Sequence, residues 1–377
     1  MTSSEIEGSD AETDIETAID ARLASLDSGN YRANNELVLA TFAEYLEHQR
    51  GVTSLEELDV LDCRRYAQWL RERVRDGEDG LSAASAHANG PYFTIVRAFL
   101  GWCVDDERLD ANPARPNRVK RELPEHHGDH DRQFWSAEAR DALLGFANER
   151  AHAALDESAD DRERAFRDRA IVTMLALTGA RGAELFSDPR DDHRNGLRWR
   201  DVDLDRGVAE VFGKTREHQP IPLTDPVAKC LERYRTVLDP ATEDWPVFPT
   251  RHHPSLARAV ENGLSDLGWD ESDIDSALDG SSSMELLREQ GIAPPALSKN
   301  GARSLMRRLC ETAEIDIDGE YLKPHGGRRG FGSELYAHDA ELAQETLRHE
   351  SIETTHESYR EQNVIDRRER LETVLDE

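Results

Sequence analysis

Lysine is almost absent from this chain of 377 residues, and basic residues are outnumbered by acidic ones. Of the 47 basic residues only five are lysines, at positions 120, 214, 229, 299 and 323, so nearly all the rest of the positive charge is arginine. Acidic residues number 77, which gives a formal net charge of -30. DNA-binding proteins are usually basic, because neutralisation of phosphates supplies much of their affinity. Composition taken alone therefore argues against a nucleic-acid partner.

The same composition also suits a protein that must stay soluble in molar salt, where charge repulsion is screened within about 3 Å. We therefore expect a halophilic source for this chain. Under that hypothesis the net charge says little about partners, and local clusters of arginine say more.

Cysteine and long apolar runs are scarce as well. The four cysteines are far apart and form no CxxC pair, which predicts a reduced cytoplasmic protein without a structural zinc site. There is no run of 18 apolar residues, and the first twenty residues are acidic, unlike a secretion signal. We expect a protein that is neither secreted nor membrane-spanning.

The first third of the sequence shows helical periodicity after an acidic start. Residues 1–27 have no lysine or arginine before Arg22, so we expect a flexible tail that is helical only near its end. Between residues 28 and 115, apolar side chains recur at helical spacing in three stretches, and Gly51 and Gly77 end the first two. Ser82 is a plausible N-cap of the third stretch, which Gly90-Pro91 should split. The pattern predicts a compact helical bundle.

Residues 116–133 have no sustained periodicity and contain two prolines, which indicates an exposed linker. His126, His127 and His130 lie there, but spacing alone does not define a metal site, and we interpret them as solvated. A second domain is expected at residues 134–377.

The second domain combines helical patterns with one region of strand periodicity. Around Asp205-Arg206-Gly207 and after Gly213, apolar alternation and turn residues predict a meander of about three strands, with Lys214 at the tip of the second hairpin. Residues 269–296 are acidic and serine-rich, which is typical of a surface insertion, and residues 360–377 have the pattern of a C-terminal helix. The predicted fold class is mainly α with a small antiparallel β-meander.

Four segments of this domain carry the residues that point to chemistry: LTGARGAEL with Arg181, FGKTREHQPIPL with Lys214, PHGGRRG with His325 and Arg328, and LRHESIETTHESYRE with His349 and Tyr359. Each also has an ordinary structural interpretation. The first arginine can pair with Glu184 one turn later, the glycines can form a plain turn, the lysine can be solvated and the tyrosine can be a packed aromatic.

Two of the segments have a physical reason to bind and transform a phosphate. His325 and Arg328 share a helix face, and Pro324 ahead of them favours a helix start whose open backbone donors suit an anion. Lys214 is of interest because an ammonium group can donate a proton, whereas a guanidinium practically cannot.

Taken together, the order Arg, Lys, His-x-x-Arg, His, Tyr and the words around each residue resemble the tyrosine recombinase, or phage integrase, family, especially its Xer-like members. Residues 28–115 look like the family's N-terminal helical core-binding (SAM-like) domain, down to the closing NPA, and residues from 134 onward look like its α+β catalytic domain. The resemblance implies a site-specific recombinase that cuts and rejoins DNA through a covalent 3′-phosphotyrosine, without metal, ATP or another cofactor.

The resemblance also implies partners and catalytic residues. The partner would be double-stranded DNA with inverted-repeat sites, bound by a homotetramer that exchanges C-terminal helices, while the free protein would be a monomer or weak oligomer. The implied catalytic residues are Arg181, Lys214, His325, Arg328, His349 and Tyr359. The arginines would clamp the scissile phosphate, the lysine would protonate the leaving oxygen, the histidines would donate hydrogen bonds or transfer protons, and the tyrosine would attack. Fixed guanidinium groups stabilise the charge that develops at such a phosphorus.

The chain departs from the family pattern in several places. The loop FSDPRDDHRNG is longer than usual, and Arg329 stands where many relatives have a second histidine. Arg348 stands where glycine is typical, so the helix-end glycine that serves a left-handed turn is missing, and we expect the local backbone to differ. Tyr359 follows His349 by ten residues, one more than the usual interval. On one continuous helix the extra residue would rotate the hydroxyl by about 100°, whereas a loop between two helices would absorb it.

Other interpretations remain open at this point. A catalytically silent relative could keep the clamp for DNA binding with a regulatory or architectural role. A topoisomerase could use the same chemistry, and a metal-independent phosphatase could use His and Arg, although it would leave the helical bundle and Tyr359 unexplained. Tyr336 is the other nearby tyrosine, and its apolar spacing predicts a core residue.

Overall fold

The computed structural model of the chain describes residues 14–27, 29–77, 80–126 and 132–359. The chain divides into two compact units, and the second of them starts at Arg132. The described residues are mainly helical and include a three-stranded antiparallel sheet, which confirms the predicted fold class. No helix among them is long and apolar enough to cross a membrane.

The first unit is a bundle of helices around an aromatic core. Its helices are α1 (Ile15–Ala24), α2 (Asn30–Tyr45), α3 (Val60–Asp76), α4 (Ala83–Ala86), α5 (Pro91–Asp105) and α6 (Asn117–Lys120). A π-helical turn extends α2, and the rings of Phe42 and Tyr66, on α2 and α3, meet edge to face with their centroids 4.8 Å apart. Leu37 of α2 is exposed although it is apolar. Its neighbour Val38 takes the buried direction, since adjacent helical residues project about 100° apart.

The predicted ends of these helices are confirmed. Gly51 and Gly77 follow the first two stretches with φ of 67° and 70°, the left-handed conformation that glycine adopts at no steric cost. Ser82 caps α4 by accepting a hydrogen bond from Ser85 N, and α5 begins at Pro91. A Cβ at Gly90 would lie 2.3 Å from the Ser85 carbonyl oxygen, so this split also needs glycine for close approach.

Two segments contribute more to the first core than their sequence suggested. Within the acidic start, α1 buries Ile15 and Ile19, although residues 1–13 lie outside the described residues. Within the stretch interpreted as an exposed linker, α6 and the turn after it bury Val119 and Leu123. Between them Glu122 accepts a 2.6 Å hydrogen bond from Arg64 on α3. Two apolar side chains and one ion pair are therefore enough to pack this segment against the bundle, although it has no sustained periodicity.

The second unit is built around one helix that is buried over most of its length. Its helices are α7 (Ala137–Ala153), α8 (Ala159–Leu177), α9 (Gly182–Leu185), α10 (Asp225–Leu238), α11 (His253–Asp266), α12 (Glu271–Gly280), α13 (Ser283–Glu289), α14 (Lys299–Ala313), α15 (Pro324–His338), α16 (Ala340–Leu347) and α17 (Ile352–Tyr359). Residues 165–176 of α8 are all buried, as expected of a helix that is covered on every side. It forms the support on which α15 packs.

The predicted meander consists of β1 (Val202–Asp203), β2 (Val208–Phe212) and β3 (His218–Pro222), paired antiparallel in that order. Ala209 lies opposite Ile221, and both are buried, while the alternate side chains face outward. The second hairpin turn is closed by a 2.8 Å hydrogen bond from Gly213 N to Glu217 O. Lys214 lies in this turn and is exposed.

The acidic stretch 269–296 contains regular structure. Its helices α12 and α13 pack with α11 around a small separate core that includes Val260, Leu264 and Leu287. Ser282 and Glu285 form a capping box at the start of α13, in which each side chain accepts a hydrogen bond from the other residue's backbone N–H. The serine-rich composition alone did not indicate this helix start. The acidic residues occupy the outer faces of these helices, so the segment has its own apolar stripe despite its composition.

The four cysteines are all free, and Cys63, Cys103 and Cys310 are buried. Burial raises the pKa of the Cys103 thiol to about 12, which makes it a poor nucleophile. Within the described ranges no three His, Cys, Asp or Glu side chains come together in a way that could hold a metal ion. His127 and His130 of the linker lie outside those ranges.

Candidate active site

The segment PHGGRRG forms the start of α15, with Pro324 in the first turn as predicted. Its glycines are helical and permit close packing. A Cβ at Gly327 would lie 2.5 Å from the Leu175 carbonyl oxygen of α8, and one at Gly330 would lie 2.3 Å from the carbonyl oxygen of Trp135. The interpretation as a plain glycine-rich turn is therefore wrong, because these glycines allow α15 to lie directly against α8 and the segment before α7.

Arg328 is buried on this helix and is held by two backbone carbonyls. Its Nη1 donates to Gly179 O, in the turn before Arg181, and its Nη2 donates to Leu347 O, at the end of α16. Burial, followed by the positive charge of Arg181, lowers the pKa of Arg328 to about 9. The group is still a cation at neutral pH, and its position is fixed by main-chain atoms.

Arg181 directly precedes the short helix α9 and pairs with Glu184, as the ordinary interpretation of its sequence proposed. Its Nη1 lies 2.9 Å from Glu184 Oε1, and its backbone N–H donates to Oε2 at 2.7 Å. The side chain of Arg181 is one-quarter exposed. Pairing thus orients the guanidinium while part of it faces solvent, so the structural and the functional interpretations are compatible.

Glu184 is a site residue that the sequence offered only as a partner. Its side chain is fully buried, and Oε2 also accepts a 2.6 Å hydrogen bond from Arg348 Nη2. Burial acts to raise the pKa of Glu184, but the charge of Arg348 and the hydrogen bonds and charge of Arg181 outweigh it and lower the pKa. The i, i+3 spacing was the sequence signal for its pairing with Arg181. The contact with Arg348 has no such signal, because the two residues are 164 positions apart.

Arg348 adopts the left-handed conformation that a glycine typically serves at the end of a helix. Its φ is 54° and its ψ is 50°, and its N–H caps α16 by donating to the Gln344 and Glu345 carbonyls. A residue with a Cβ pays about 1 kcal/mol for this conformation. The expectation of an altered backbone is therefore wrong, because the ion pair with Glu184 offsets the strain.

His325 and His349 both face the arginines. His349 is half-buried, whereas His325 still reaches solvent at the start of α15. The surrounding protein desolvates both rings, and this effect, followed by the neighbouring positive charges, lowers the pKa of each imidazole to about 4, so both are neutral at pH 7. His349 Nδ1 lies 2.9 Å from Thr355 Oγ1, which fixes the ring. A neutral imidazole can donate its N–H to a phosphate oxygen and can accept a hydrogen bond from a hydroxyl group, whereas two further cations in this cluster would repel the arginines.

Tyr359 ends α17, a helix that is separate from α16. Residues 348–351 break the two helices, so a loop separates His349 from the helix that carries the tyrosine. The ring of Tyr359 stacks near that of His349, with centroids 6.1 Å apart and planes at 14°. A loop therefore absorbs the additional residue in this interval.

The hydroxyl of Tyr359 points into the unit. The residue is only 2% exposed, and a Cβ at Gly332 of α15 would lie 2.3 Å from the phenolic oxygen. Burial raises the pKa of Tyr359, and the charges of Arg328, Arg329 and Arg181 act in the opposite direction. The phenol is thus packed within the electrostatic field of three arginines.

Lys214 is not brought to this cluster. It lies exposed in the second hairpin turn, and no hydrogen bond or ion pair among the described residues joins it to the other five predicted residues. The base of its hairpin is fixed by Arg194, which donates to the Phe212 and Gly213 carbonyls and to Ala183 O of α9. Arg194 belongs to the extended loop FSDPRDDHRNG, so the extra residues of that loop tie the hairpin to the segment beside Arg181.

Two further residues lie near the site, and the first of them differs from its prediction. Tyr336 is not a core residue, since it is only partly buried and its hydroxyl lies 2.7 Å from His356 Nδ1. Arg329 is partly buried, and burial followed by the charge of Arg132 lowers its pKa, while Tyr359 acts in the opposite direction. Arg329 therefore adds positive charge on the side of the cluster that faces the tyrosine.

Known proteins resemble this chain in sequence and in fold. Residues 146–364, more than half of the chain, match the Phage integrase family. The tyrosine recombinase XerC of Corynebacterium glutamicum is 26% identical over 248 residues, which cover 63% of this chain and 67% of that protein. The XerC of Xanthomonas axonopodis is 28% identical over half of this chain, and the match spans about half (52%) of that relative's length.

Among solved structures, the XerH site-specific recombinase bound to a palindromic difH substrate, a post-cleavage complex, superposes with a TM-score of 0.56. That match covers 92% of this chain and 80% of the XerH chain, at 16% identity, and it shows a common fold. The order of the motifs, the fold and the match over residues 146–364 lead to one assignment: this chain is a member of the phage integrase family of tyrosine recombinases.

Proposed function

We propose that this protein is a site-specific DNA recombinase that cuts and rejoins double-stranded DNA with Tyr359 as its nucleophile. The observation that carries the proposal is the convergence of Arg181 and Arg328 on the tyrosine, with both guanidinium groups held by fixed acceptors. XerC and XerH, to which the chain is similar, are recombinases by name, and XerH was solved with a DNA substrate.

The proposed reaction is a transfer of the phosphoryl group between two oxygens. The phenolic oxygen of Tyr359 forms a bond to the scissile phosphorus while the bond from phosphorus to the 5′ oxygen breaks. Arg181 and Arg328 stabilise the additional negative charge of the pentacoordinate state. The 3′-phosphotyrosine keeps the energy of the broken linkage, so the 5′ hydroxyl of a partner strand can reverse the attack and complete strand exchange.

Two protons must move in this step. The phenolic proton passes to a neutral imidazole, His325 or His349, because a bound phosphate partly cancels the arginine charges that depress their pKa. The leaving 5′ oxygen takes a proton from the ammonium group of Lys214. Since Lys214 is exposed on its hairpin, this role requires the hairpin to close on bound DNA.

The tyrosine must also move. Its hydroxyl packs against Gly332, so α17 has to shift before the phenolic oxygen can meet a phosphate. Residues 360–377, where a C-terminal helix is predicted, lie outside the described residues. We propose that this helix docks on a second protomer in a homotetramer on inverted-repeat DNA, which would couple assembly to the shift of α17.

A second candidate function is a catalytically silent relative that binds DNA for regulation or architecture. The 2% exposure of Tyr359 favours it, as does the exposed position of Lys214, which no hydrogen bond or ion pair among the described residues joins to the cluster. It uses the same arginine clamp, but the tyrosine stays packed and no covalent bond forms.

Covalent capture separates the two candidates. A pool of duplexes with randomised sequence around a nick is incubated with the protein in low salt and in molar KCl, because the acidic composition leads us to propose a halophilic origin. The nick lets the short strand beyond the cleaved phosphate diffuse away, which traps the adduct for denaturing electrophoresis and sequencing. Wild type should form an adduct that Tyr359→Phe abolishes. DNA binding without any adduct would support the silent relative, and an adduct that survives in Tyr359→Phe would show that another residue attacks.

A further inference from the structure

We propose that Arg348 is a positioning residue, which holds Arg181 of the phosphate clamp in place through the buried carboxylate of Glu184. The inference rests on the proposed function. It assigns a role to a side chain that stands where the family pattern has a glycine.

The carboxylate of Glu184 is shared between two guanidinium groups. Its Oε1 accepts from Arg181 Nη1 at 2.9 Å, and its Oε2 accepts from the Arg181 backbone at 2.7 Å and from Arg348 Nη2 at 2.6 Å. Because the carboxylate is fully buried, it can turn toward either partner only by losing the other. Arg348 therefore fixes the orientation of the group that orients Arg181.

The backbone at the same position serves the second clamp arginine. The left-handed turn at Arg348 ends α16 at Leu347, whose carbonyl accepts from Arg328 Nη2. A helix leaves its last carbonyls without partners inside the helix, and here a catalytic guanidinium supplies one donor. One residue thus links both arginines of the clamp, Arg328 through the turn and Arg181 through its side chain.

The charges in this cluster also require Arg348. Arg181, Arg328 and Arg348 contribute three positive charges and Glu184 contributes one negative charge, so the cluster carries a net charge of about +2, which suits an incoming phosphate. Without Arg348 the carboxylate would neutralise Arg181 more completely. The arginine clamp would then have less charge available for the transition state.

If Arg348 served only to form the left-handed turn, glycine would suit this position better. Glycine adopts φ near 54° without strain, so Arg348→Gly should keep the turn and the contact of Arg328 with Leu347. The same substitution removes the contact with Glu184. This variant therefore separates the contribution of the side chain from that of the backbone.

The experiment measures single-turnover adduct formation on a nicked duplex recovered from the randomised pool, together with binding of that duplex. We expect Arg348→Gly to lower the cleavage rate by about 10–100-fold while binding changes little, in line with the loss of a residue that supports a direct ligand. Arg348→Lys should fall between wild type and the glycine variant, because it keeps the charge but not the forked geometry.

The pH profile supplies a second readout. The charge of Arg348 helps to keep the pKa of Glu184 low, so its removal raises that pKa. A carboxylate whose pKa rises is protonated sooner as the pH falls, and cleavage by Arg348→Gly should therefore fail at a higher pH than cleavage by wild type. A purely structural role would lower the cleavage rate at every pH without shifting the pH at which cleavage fails on the acidic side of the profile.

Glu314→Gly is the matched control, since Glu314 ends α14 in the same left-handed conformation, with φ of 55°, on an exposed surface. It should relieve the same strain without changing cleavage. Glu184→Gln completes a double-mutant cycle, and the double variant should be no slower than the slower single variant. The inference is overturned, while the proposed function stands, if Arg348→Gly cleaves at the same rate as Glu314→Gly. It is also overturned if the decreases in cleavage rate caused by Arg348→Gly and Glu184→Gln multiply in the double variant. Absence of any adduct with wild type would overturn both.

Discussion

The phosphate clamp and the hairpin that carries Lys214 are organised in opposite ways. Arg328 is 3% exposed and is held by two carbonyls, and Arg181 is held by a buried carboxylate. Lys214 is exposed at the tip of a turn whose base is held by Arg194. The groups that would bind the phosphate are in place before DNA arrives, whereas the group that would protonate the leaving oxygen is not.

This difference fits the roles that we propose for the two groups. Donors that stabilise developing charge are most effective when they need no reorganisation during the reaction, which favours burial and fixed partners. A general acid must keep its proton until substrate is bound, and an ammonium group in water does so without assistance. The difference therefore separates binding from cleavage, and three substitutions test whether the two regions contribute as described.

Replacement of the lysine should have the largest effect on chemistry. Lys214→Ala is expected to slow cleavage by about 10²–10⁴-fold, the usual contribution of a general acid, because the leaving 5′ oxygen then departs without a proton. Its free energy of unfolding should change by less than about 0.5 kcal/mol, since the side chain is exposed. Single-turnover cleavage and denaturant unfolding measure the two quantities.

A substrate with sulfur in place of the bridging 5′ oxygen makes this test specific. A thiolate leaves without protonation, so cleavage of that substrate should be nearly equal in wild type and Lys214→Ala. An equal loss on both substrates would mean that the lysine binds DNA and is not the proton donor.

Compared with Lys214→Ala, substitution of a clamp arginine should slow cleavage less and lower the free energy of unfolding more. Arg328→Lys is expected to slow cleavage by about 10²–10³-fold, as for other fixed donors at a developing charge. It should also destabilise the protein by about 1–3 kcal/mol, because one ammonium group cannot reach both buried carbonyls. The sulfur substrate should not rescue this variant. Rescue there would place Arg328 at the leaving oxygen and remove the distinction between the two regions.

The sequence predicted the local parts of this arrangement. His325 and Arg328 on one face of a helix, the hairpin of Lys214 and the ends of the helices before Gly51 and Gly77 all follow from spacing and from single residues with strong backbone preferences. The fold class follows from the same patterns.

Contacts between distant segments could not be predicted in this way. Arg348 compensates a strained turn with a carboxylate 164 positions away, and the glycines of α15 fit carbonyls of α8 and of the residue Trp135. Such contacts depend on tertiary packing, which leaves no periodic signal in one sequence. The packing of Tyr359 against Gly332 belongs to the same class, because neither segment has a pattern that indicates contact between these two residues.

The smallest effect is expected where the two regions meet, at Arg194. Its guanidinium donates to Ala183 O at 2.9 Å, to Phe212 O at 3.0 Å and to Gly213 O at 2.9 Å, so it sets the distance between α9 and the base of the hairpin. Arg194→Met keeps much of the side-chain volume and removes these hydrogen bonds. We expect cleavage to slow by about 10-fold, because a displaced general acid is less often in line with the leaving oxygen.

The sulfur substrate again identifies the step that is affected. If Arg194 acts through the hairpin, cleavage of that substrate should be restored in Arg194→Met as it is in Lys214→Ala, and combining the two substitutions should add little to the loss in Lys214→Ala. Arg206→Met, at an exposed position in the first turn of the meander, is the matched control and should leave both rates unchanged. A loss in Arg194→Met on both substrates alike would mean that Arg194 supports α9 and Arg181 instead, and the hairpin would then be independent of the extended loop that precedes it.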